Sequence, residues 1–166
     1  MGLGGNSVLK YTLCFIQRGR DLLMLNRRYA PTMGLWNGVG GKIEPGETPA
    51  ECILREIQEE TGIAVTTVRY GGSVTWTADG VPGGLYAFIA KVLADLEYPT
   101  PRAIDEGLLD WKPTSWVTDP ENFGVVPNIP RFLPPMLRGE RPLHHHFDFV
   151  DGLHLVRYTT SPDTEA

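Results

Sequence analysis

Three glutamates, Glu56, Glu59 and Glu60, stand at spacings i, i+3 and i+4. On a helix these spacings bring side chains to one side. Like charges so placed repel and weaken an isolated helix. The pattern gains a purpose if a cation sits among them. Carboxylate oxygens are hard donors suited to Mg²⁺ or Mn²⁺, and no histidine or cysteine stands in the cluster to favour zinc. Taken alone, three glutamates read more readily as a solvated helix face.

The residues around them define the helix that must carry them. Thr48 and Glu51 form a T-x-x-E capping box, with Pro49 at the first helical position. Gly62 follows the last turn, where a left-handed cap is expected, and Ile63 can close it with an apolar contact. A helix over about 48–61 follows. At about 100° per residue, Ala50, Ile53, Leu54, Ile57 and Thr61 fall in one buried arc, and the three glutamates fill an adjoining arc.

From Gly41 the chain reads GKIEPGETPAECILREIQEETGI. Gly41, Glu47, Arg55, Glu56, Ile57, Glu59, Glu60, Gly62 and Ile63 satisfy every fixed position of G-x5-E-x7-R-E-U-x-E-E-x-G-U, where U is aliphatic. That pattern is the Nudix box, so the chain resembles the Nudix hydrolases and, among them, the MutT-like nucleoside triphosphate diphosphatases. The resemblance implies an α+β Nudix fold, a mixed β-sheet flanked by helices in an α/β/α sandwich. It implies that Glu56, Glu59 and Glu60 bind Mg²⁺ (or Mn²⁺), with the carbonyl of Gly40 as a further ligand. Glu47 would pair with Arg55 and hold the loop against the helix. Glu106, in the acidic stretch before Trp111-Lys112-Pro113, would serve as metal ligand or general base, with Glu60 the competing base.

Similarity beyond the box runs over about residues 8–158. Tyr11-Thr12-Leu13 and Trp36 to Lys42 resemble the oxidised-purine nucleoside triphosphatases, as does the stretch from Phe147 to Tyr158. The implied substrate is an oxidised or non-standard (d)NTP such as 8-oxo-dGTP, cut to the monophosphate and pyrophosphate. Asn37 matches an asparagine that contacts the purine base, and an amide offers donors and an acceptor to a base edge. Thr12 is expected to line the same pocket. Lys42 and Arg27 could meet phosphate. Asn128, in Val126-Pro127-Asn128-Ile129, stands where those enzymes carry a Trp-Pro-Asp-Asp stretch, so base preference is open. A pyrimidine triphosphate or a nucleoside diphosphate derivative is the alternative substrate. A silent nucleotide-binding domain is disfavoured, because every box carboxylate is present.

Around these residues, two strands are expected at 8–16 and 21–26, then a Gly-rich connection over 27–41. After the helix come strands at about 64–77 and 84–93, separated by a turn of Asp79, Gly80, Pro82 and Gly83. A loop follows from Pro99 to Gly107, a strand over 108–117 and a short helix near 130–138. The chain closes with a hairpin over 143–159 turning at Asp151-Gly152, and a frayed tail after Ser161. His144-His145-His146 enters a strand, where neighbours point to opposite faces, so it does not read as a metal tract.

The 166 residues fit a single domain, and 42% hydrophobic with 21% charged residues suits a packed core. A net charge of −5 argues against a nucleic-acid polymer as partner. It leaves a phosphorylated small molecule open, since a bound divalent cation reverses the local field. Cys14 and Cys52 read as buried thiols. The opening MGLGGNS shows neither a secretory pattern nor, with Asn at position 6, a myristoylation signal. No apolar run is long enough to span a membrane. A soluble cytoplasmic protein is expected; oligomeric state is not addressed by these residues.

Overall fold

The computed structural model describes residues 8–165, so the readings of the opening seven residues lie outside it. The strands are β1 (Leu9–Arg18), β2 (Asp21–Arg27), β3 (Trp36–Asn37), β4 (Val39–Lys42), β5 (Arg69–Ala78), β6 (Val81–Lys91), β7 (Arg102–Ile104), β8 (Gly107–Pro113), β9 (Leu143–Val150) and β10 (His154–Pro162). The helices are α1 (Pro49–Thr61), α2 (Thr114–Val117) and α3 (Ile129–Leu137). All strands join one mixed sheet in the order β10-β9-β5-β6-β1-β2-β8-β7, with β3 on β2 and β4 on β1. The β1–β6 and β5–β9 pairs are parallel.

Alternation along the strands loads both faces, which is why helices must cover both. Leu13, Phe15, Leu22, Met24, Ala87 and Ile89 point to a core closed by Ile129, Phe132, Leu133 and Met136 of α3. Their neighbours Cys14, Ile16, Leu23, Leu25, Phe88 and Ala90 point to a second core under Ile53 and Ile57 of α1. The expected α/β/α layering is therefore present. Both cysteines are buried and free.

The sheet forks where the site will form. β1 pairs with β2 only from Ile16 to Arg18, and from Tyr11 to Cys14 it pairs with β4 instead. Leu25 and Asn26 of β2 pair with β3. The Gly-rich connection thus fills the gap between two diverging strands. Its glycines permit the approach: a Cβ on Gly40 would overlap the Thr12 carbonyl.

Several boundaries differ from the sequence expectation. β5 starts at Arg69 rather than 64, although Ile63, Val65 and Val68 suit a strand. Arg69 pairs with Ile89 near the end of β6, and beyond that the earlier residues find no partner strand. The turn before β6 needs only Asp79-Gly80, both at positive φ (48° and 82°). Pro82 and Gly83 lie inside β6, where the Trp76 ring fills the space a side chain on Gly83 would take. The expected loop before Gly107 contains β7, which pairs with β8. The expected strand to Val117 stops at Pro113 and becomes α2. The chain does not fray at Ser161: β10 continues to Pro162, and Ser73 Oγ donates to Asp163 at 2.6 Å.

His145 faces the α3 core, stacked on Tyr158 with Nδ1 2.7 Å from its hydroxyl. Burial, and then the neighbouring His144, pull its pKa from 6.5 down to about 4. Below pH 6.5 the unfolded chain takes a proton that the folded chain refuses. Stability should therefore fall by on the order of 1–3 kcal/mol as pH drops from about 6.5 to about 4. Melting curves across that window check this, and His145→Phe should flatten the slope.

Candidate active site

The helix ends fix the phase of the carboxylates. Thr48 Oγ1 accepts from the Glu51 N–H at 3.1 Å, and Glu51 Oε2 accepts from the Thr48 N–H at 2.9 Å. Gly62, at φ 72°, returns its N–H to the Gln58 carbonyl. The Tyr98 hydroxyl donates to the Thr61 carbonyl at 2.7 Å and ties the last turn to the core. The buried arc is rotated from the one expected. Ala50 is exposed and Leu54 half-buried, whereas Cys52 and Glu60 are buried. Helix phase follows what lies beneath it, and here the surface beneath includes the polar backbone of the Gly-rich fork.

That rotation grades the three carboxylates. The Glu59 side chain is 59% exposed, Glu56 is 14% exposed, and Glu60 is buried with one oxygen, Oε2, lacking any hydrogen-bond partner. Burial, then the charges of Glu56 and Glu106, push Glu60 up to about 8; the Gly40 backbone and Arg27 act the other way. Burial likewise raises Glu56, opposed by Arg55. A carboxylate sunk beside other carboxylates, with an oxygen unpaired, is costly unless a cation shares the space.

Arg55 braces the loop. Its Nε and Nη2 grip Glu47 at 2.6 and 3.0 Å, and Nη2 also donates to the Lys42 carbonyl at 3.2 Å. Nη1 reaches Glu56 at 2.9 Å and Glu59 at 3.2 Å. The Arg55 hydrogen bonds, then that from the Glu44 backbone, hold Glu47 down to about 2. Glu47 and Arg55 thus meet as the box implies. Gly41 leaves room for chemistry, since a Cβ there would overlap the Glu56 carboxylate.

Glu106 reaches the cluster from the turn between β7 and β8. Its carbonyl accepts from the Arg28 N–H at 2.9 Å. Gly107, at φ 149°, packs so tightly on Asn26 that a Cβ would overlap its carbonyl. Arg27 pairs with Gly107 across β2 and β8. Glu106 and Arg27 both act electrostatically on Glu60, so the fold gathers them with the helix.

The other expected residues distribute unevenly. Thr12 is a correction: it is buried under α1, its hydroxyl donating to the Gly41 carbonyl at 3.3 Å and lying 3.2 Å from Cys52 Sγ. It supports the fork and does not line an open pocket. Asn37 spends its side-chain oxygen on the Gly38 N–H at 2.8 Å. Lys42 is exposed at the end of β4. Asn128 is buried at the start of α3 and makes no side-chain cap. Its segment is stitched to β3, with Val126 N–H donating to the Trp36 carbonyl at 3.1 Å. Asn37 and Asn128 therefore sit on neighbouring backbones. Sequence reading missed Lys112, whose ammonium lies 4.5 Å from the centre of the Trp36 ring and braces the residue beside Asn37. It missed Gly107 too, which a glycine directly after a turn glutamate could have signalled.

The donor set fits a hard divalent cation. Among the described residues no three side chains are gathered tightly enough to cage an ion as they stand, because Glu56 and Glu59 lean onto Arg55. The orphaned, buried Glu60 Oε2 is nonetheless what such an ion would satisfy.

Residues 10–118 match the NUDIX domain family. The chain is 27% identical to YvcI of Bacillus subtilis, an uncharacterised Nudix hydrolase, over 92% of this chain and 94% of that one. It is 27% identical to the mouse oxidized purine nucleoside triphosphate hydrolase, over 90% and 92%. The NAD-capped RNA hydrolase NudC of Haemophilus influenzae is 40% identical, but over 37% of this chain and 24% of its own length. The crystal structure of a MutT protein from Bacillus halodurans superposes with a TM-score of 0.74 at 26% identity, covering 92% of this chain and 97% of that one. The braced box, the Glu56 and Glu60 carboxylates it turns inward and these similarities have one common reading: the chain belongs to the Nudix family and is a hydrolase.

Proposed function

We propose that the protein is a Mg²⁺-dependent nucleoside triphosphate diphosphatase, with Mn²⁺ as a substitute ion. It would act as one domain on oxidised or non-standard (d)NTPs of the cytoplasmic pool, 8-oxo-dGTP among them, releasing the monophosphate and pyrophosphate. The observation that carries this reading is the buried Glu60 carboxylate beside the Gly-rich fork, its Oε2 without a hydrogen-bond partner and its ionisation opposed by burial and by the charges of Glu56 and Glu106. Similarity to the mouse oxidized purine nucleoside triphosphate hydrolase over 90% of the chain supports the substrate class.

Glu56, Glu59 and Glu60, with the Gly40 carbonyl, would hold the ion, and Glu106 would join them or accept the proton of the attacking water. A bound divalent ion neutralises diphosphate oxygens and lowers the pKa of a water. Arg27 and Lys42 would supply positive charge to the triphosphate. Asn37 and Asn128 offer amides to a base edge. Among the described residues no helix is long and apolar enough to cross a membrane.

A nucleotide panel with Mg²⁺, resolving pyrophosphate from phosphate, tests the reading. Oxidised purine triphosphates should release pyrophosphate. Release of phosphate alone would show that a different bond is cut. Preference for a dinucleotide or capped RNA would transfer the assignment to the chemistry named for the NudC relative, and no turnover of any diphosphate compound would end it.

A further inference from the structure

His144, His146 and Asp148 line one face of β9, and their side chains run into Ser73 and Thr75 of β5 and Asp163 beyond β10. Ser73 Oγ donates to Asp163 at 2.6 Å and lies 2.8 Å from His144 Nδ1. Thr75 Oγ1 lies 3.0 Å from His144 Nε2 and 2.7 Å from His146 Nδ1. His146 Nε2 lies 3.2 Å from Asp148 Oδ1. Both nitrogens of each ring are engaged, so neither ring can flip without losing contacts.

The protons in this chain can be counted. Ser73 has one hydroxyl proton and gives it to Asp163, so His144 Nδ1 must carry a proton. Asp148 accepts only, so His146 Nε2 must carry one. Thr75 also has one proton, which it can give to His144 Nε2 or to His146 Nδ1. Whichever nitrogen it does not serve must be protonated itself. Ser73 is fully buried and Thr75 nearly so, while the His146 and Asp148 side chains are about one-third exposed, so the count rests on the short contacts at the two hydroxyls.

We infer that His144 and His146 share one proton across Thr75, so that the two rings together carry three N–H protons and one positive charge between Asp148 and Asp163. Passing a proton from His146 Nδ1 to Thr75 Oγ1, while the Thr75 proton moves to His144 Nε2, carries the charge from the Asp148 end to the Asp163 end with no bond left unbalanced. The charged neighbours are compatible. Glu165 lies two residues beyond Asp163 and donates its N–H to Asp163 Oδ2 at 3.2 Å, Arg157 pairs with Asp148 across β9 and β10, and His145, on the opposite face, is pulled down in part by His144. From β5, Tyr70 keeps its hydroxyl proton beside Asp163 and Ser73, and β6 sets Tyr86 across from Ser73. The clasp thereby makes the seam of β5, β9 and the chain end dependent on one bound proton.

Long-range ¹H–¹⁵N correlation on histidine-labelled protein at pH 7.5, where a free histidine is largely neutral, tests this. One of the four ring nitrogens of His144 and His146 should lack a proton, or show that deficit shared; two lacking, or none, overturns the inference. Thr75→Val removes the bridge with little change of shape and should raise the count to two; a count still at one would show that the bridge holds no proton. A folded state that binds an extra proton loses stability as pH rises. The melting temperature of the wild type should therefore fall from pH 7 to 9 relative to Thr75→Val, and parallel curves would overturn the inference. The wild-type count stands even if the variant does not fold.

Discussion

Glu60→Gln should lower turnover by about 10²–10⁴-fold, the range lost when a group acting on the reacting atoms is removed. The fold should be retained. Without a cation, burial and the neighbouring carboxylates already push Glu60 up to about 8, so an uncharged amide closely imitates the side chain as it rests there. The amide also removes the orphaned carboxylate oxygen that a divalent ion would satisfy. Three measurements separate the causes: pyrophosphate release under saturating Mg²⁺, Mn²⁺ binding by calorimetry and the melting temperature. Activity and ion affinity should fall together while melting moves by no more than a few degrees. Glu59→Gln should act in the same direction, although its side chain is largely exposed. Wild-type turnover in both variants would remove the cation from this helix.

The second large effect should come from a replacement that keeps the charge. Arg55→Lys should cost about 10–100-fold in activity or ion affinity, typical for groups that orient metal ligands. The guanidinium grips both oxygens of Glu47 while Nη2 also holds the Lys42 carbonyl and Nη1 reaches Glu56 and Glu59. An ammonium is a point charge and cannot span that fork. Stability should change far less, because partly exposed ion pairs each contribute about 0–1 kcal/mol. A titration of kcat/KM against Mg²⁺, set beside thermal melts, distinguishes lost positioning from lost folding. An Arg55→Lys enzyme with wild-type Mg²⁺ dependence and turnover would show that the brace is dispensable.

Much of the site was legible because its logic is local. Thr48, Pro49, Glu51 and Gly62 announce the helix through interactions spanning a few residues, and each was found in its expected role. Glu47 and Arg55 lie two turns or so apart in sequence, so their pairing is nearly local as well. Thr12 was misread because strand alternation gives two faces without saying which one the helix covers. Glu106 could be nominated only by resemblance, since its approach to Glu60 depends on β8 lying beside β2 and on the Gly107 contact with Asn26. The strand expected at 64–68 failed for a related reason. β-branched residues suit a strand, but a strand needs a neighbour to pair with.

Residue type and order alone set the chemistry of the helix: three carboxylates at i, i+3 and i+4, capped at both ends and held at fixed spacing from the glycines and arginine of the box. Those are properties of residue type and short-range geometry. The inequality of those carboxylates comes from packing across the fold. Packing over the forked sheet turns Glu60 inward, leaves Glu59 in solvent and ties Glu56 to Arg55. Burial and long-range charge set that order, and neither exists until β1, β4 and the Glu106 turn have come together around α1.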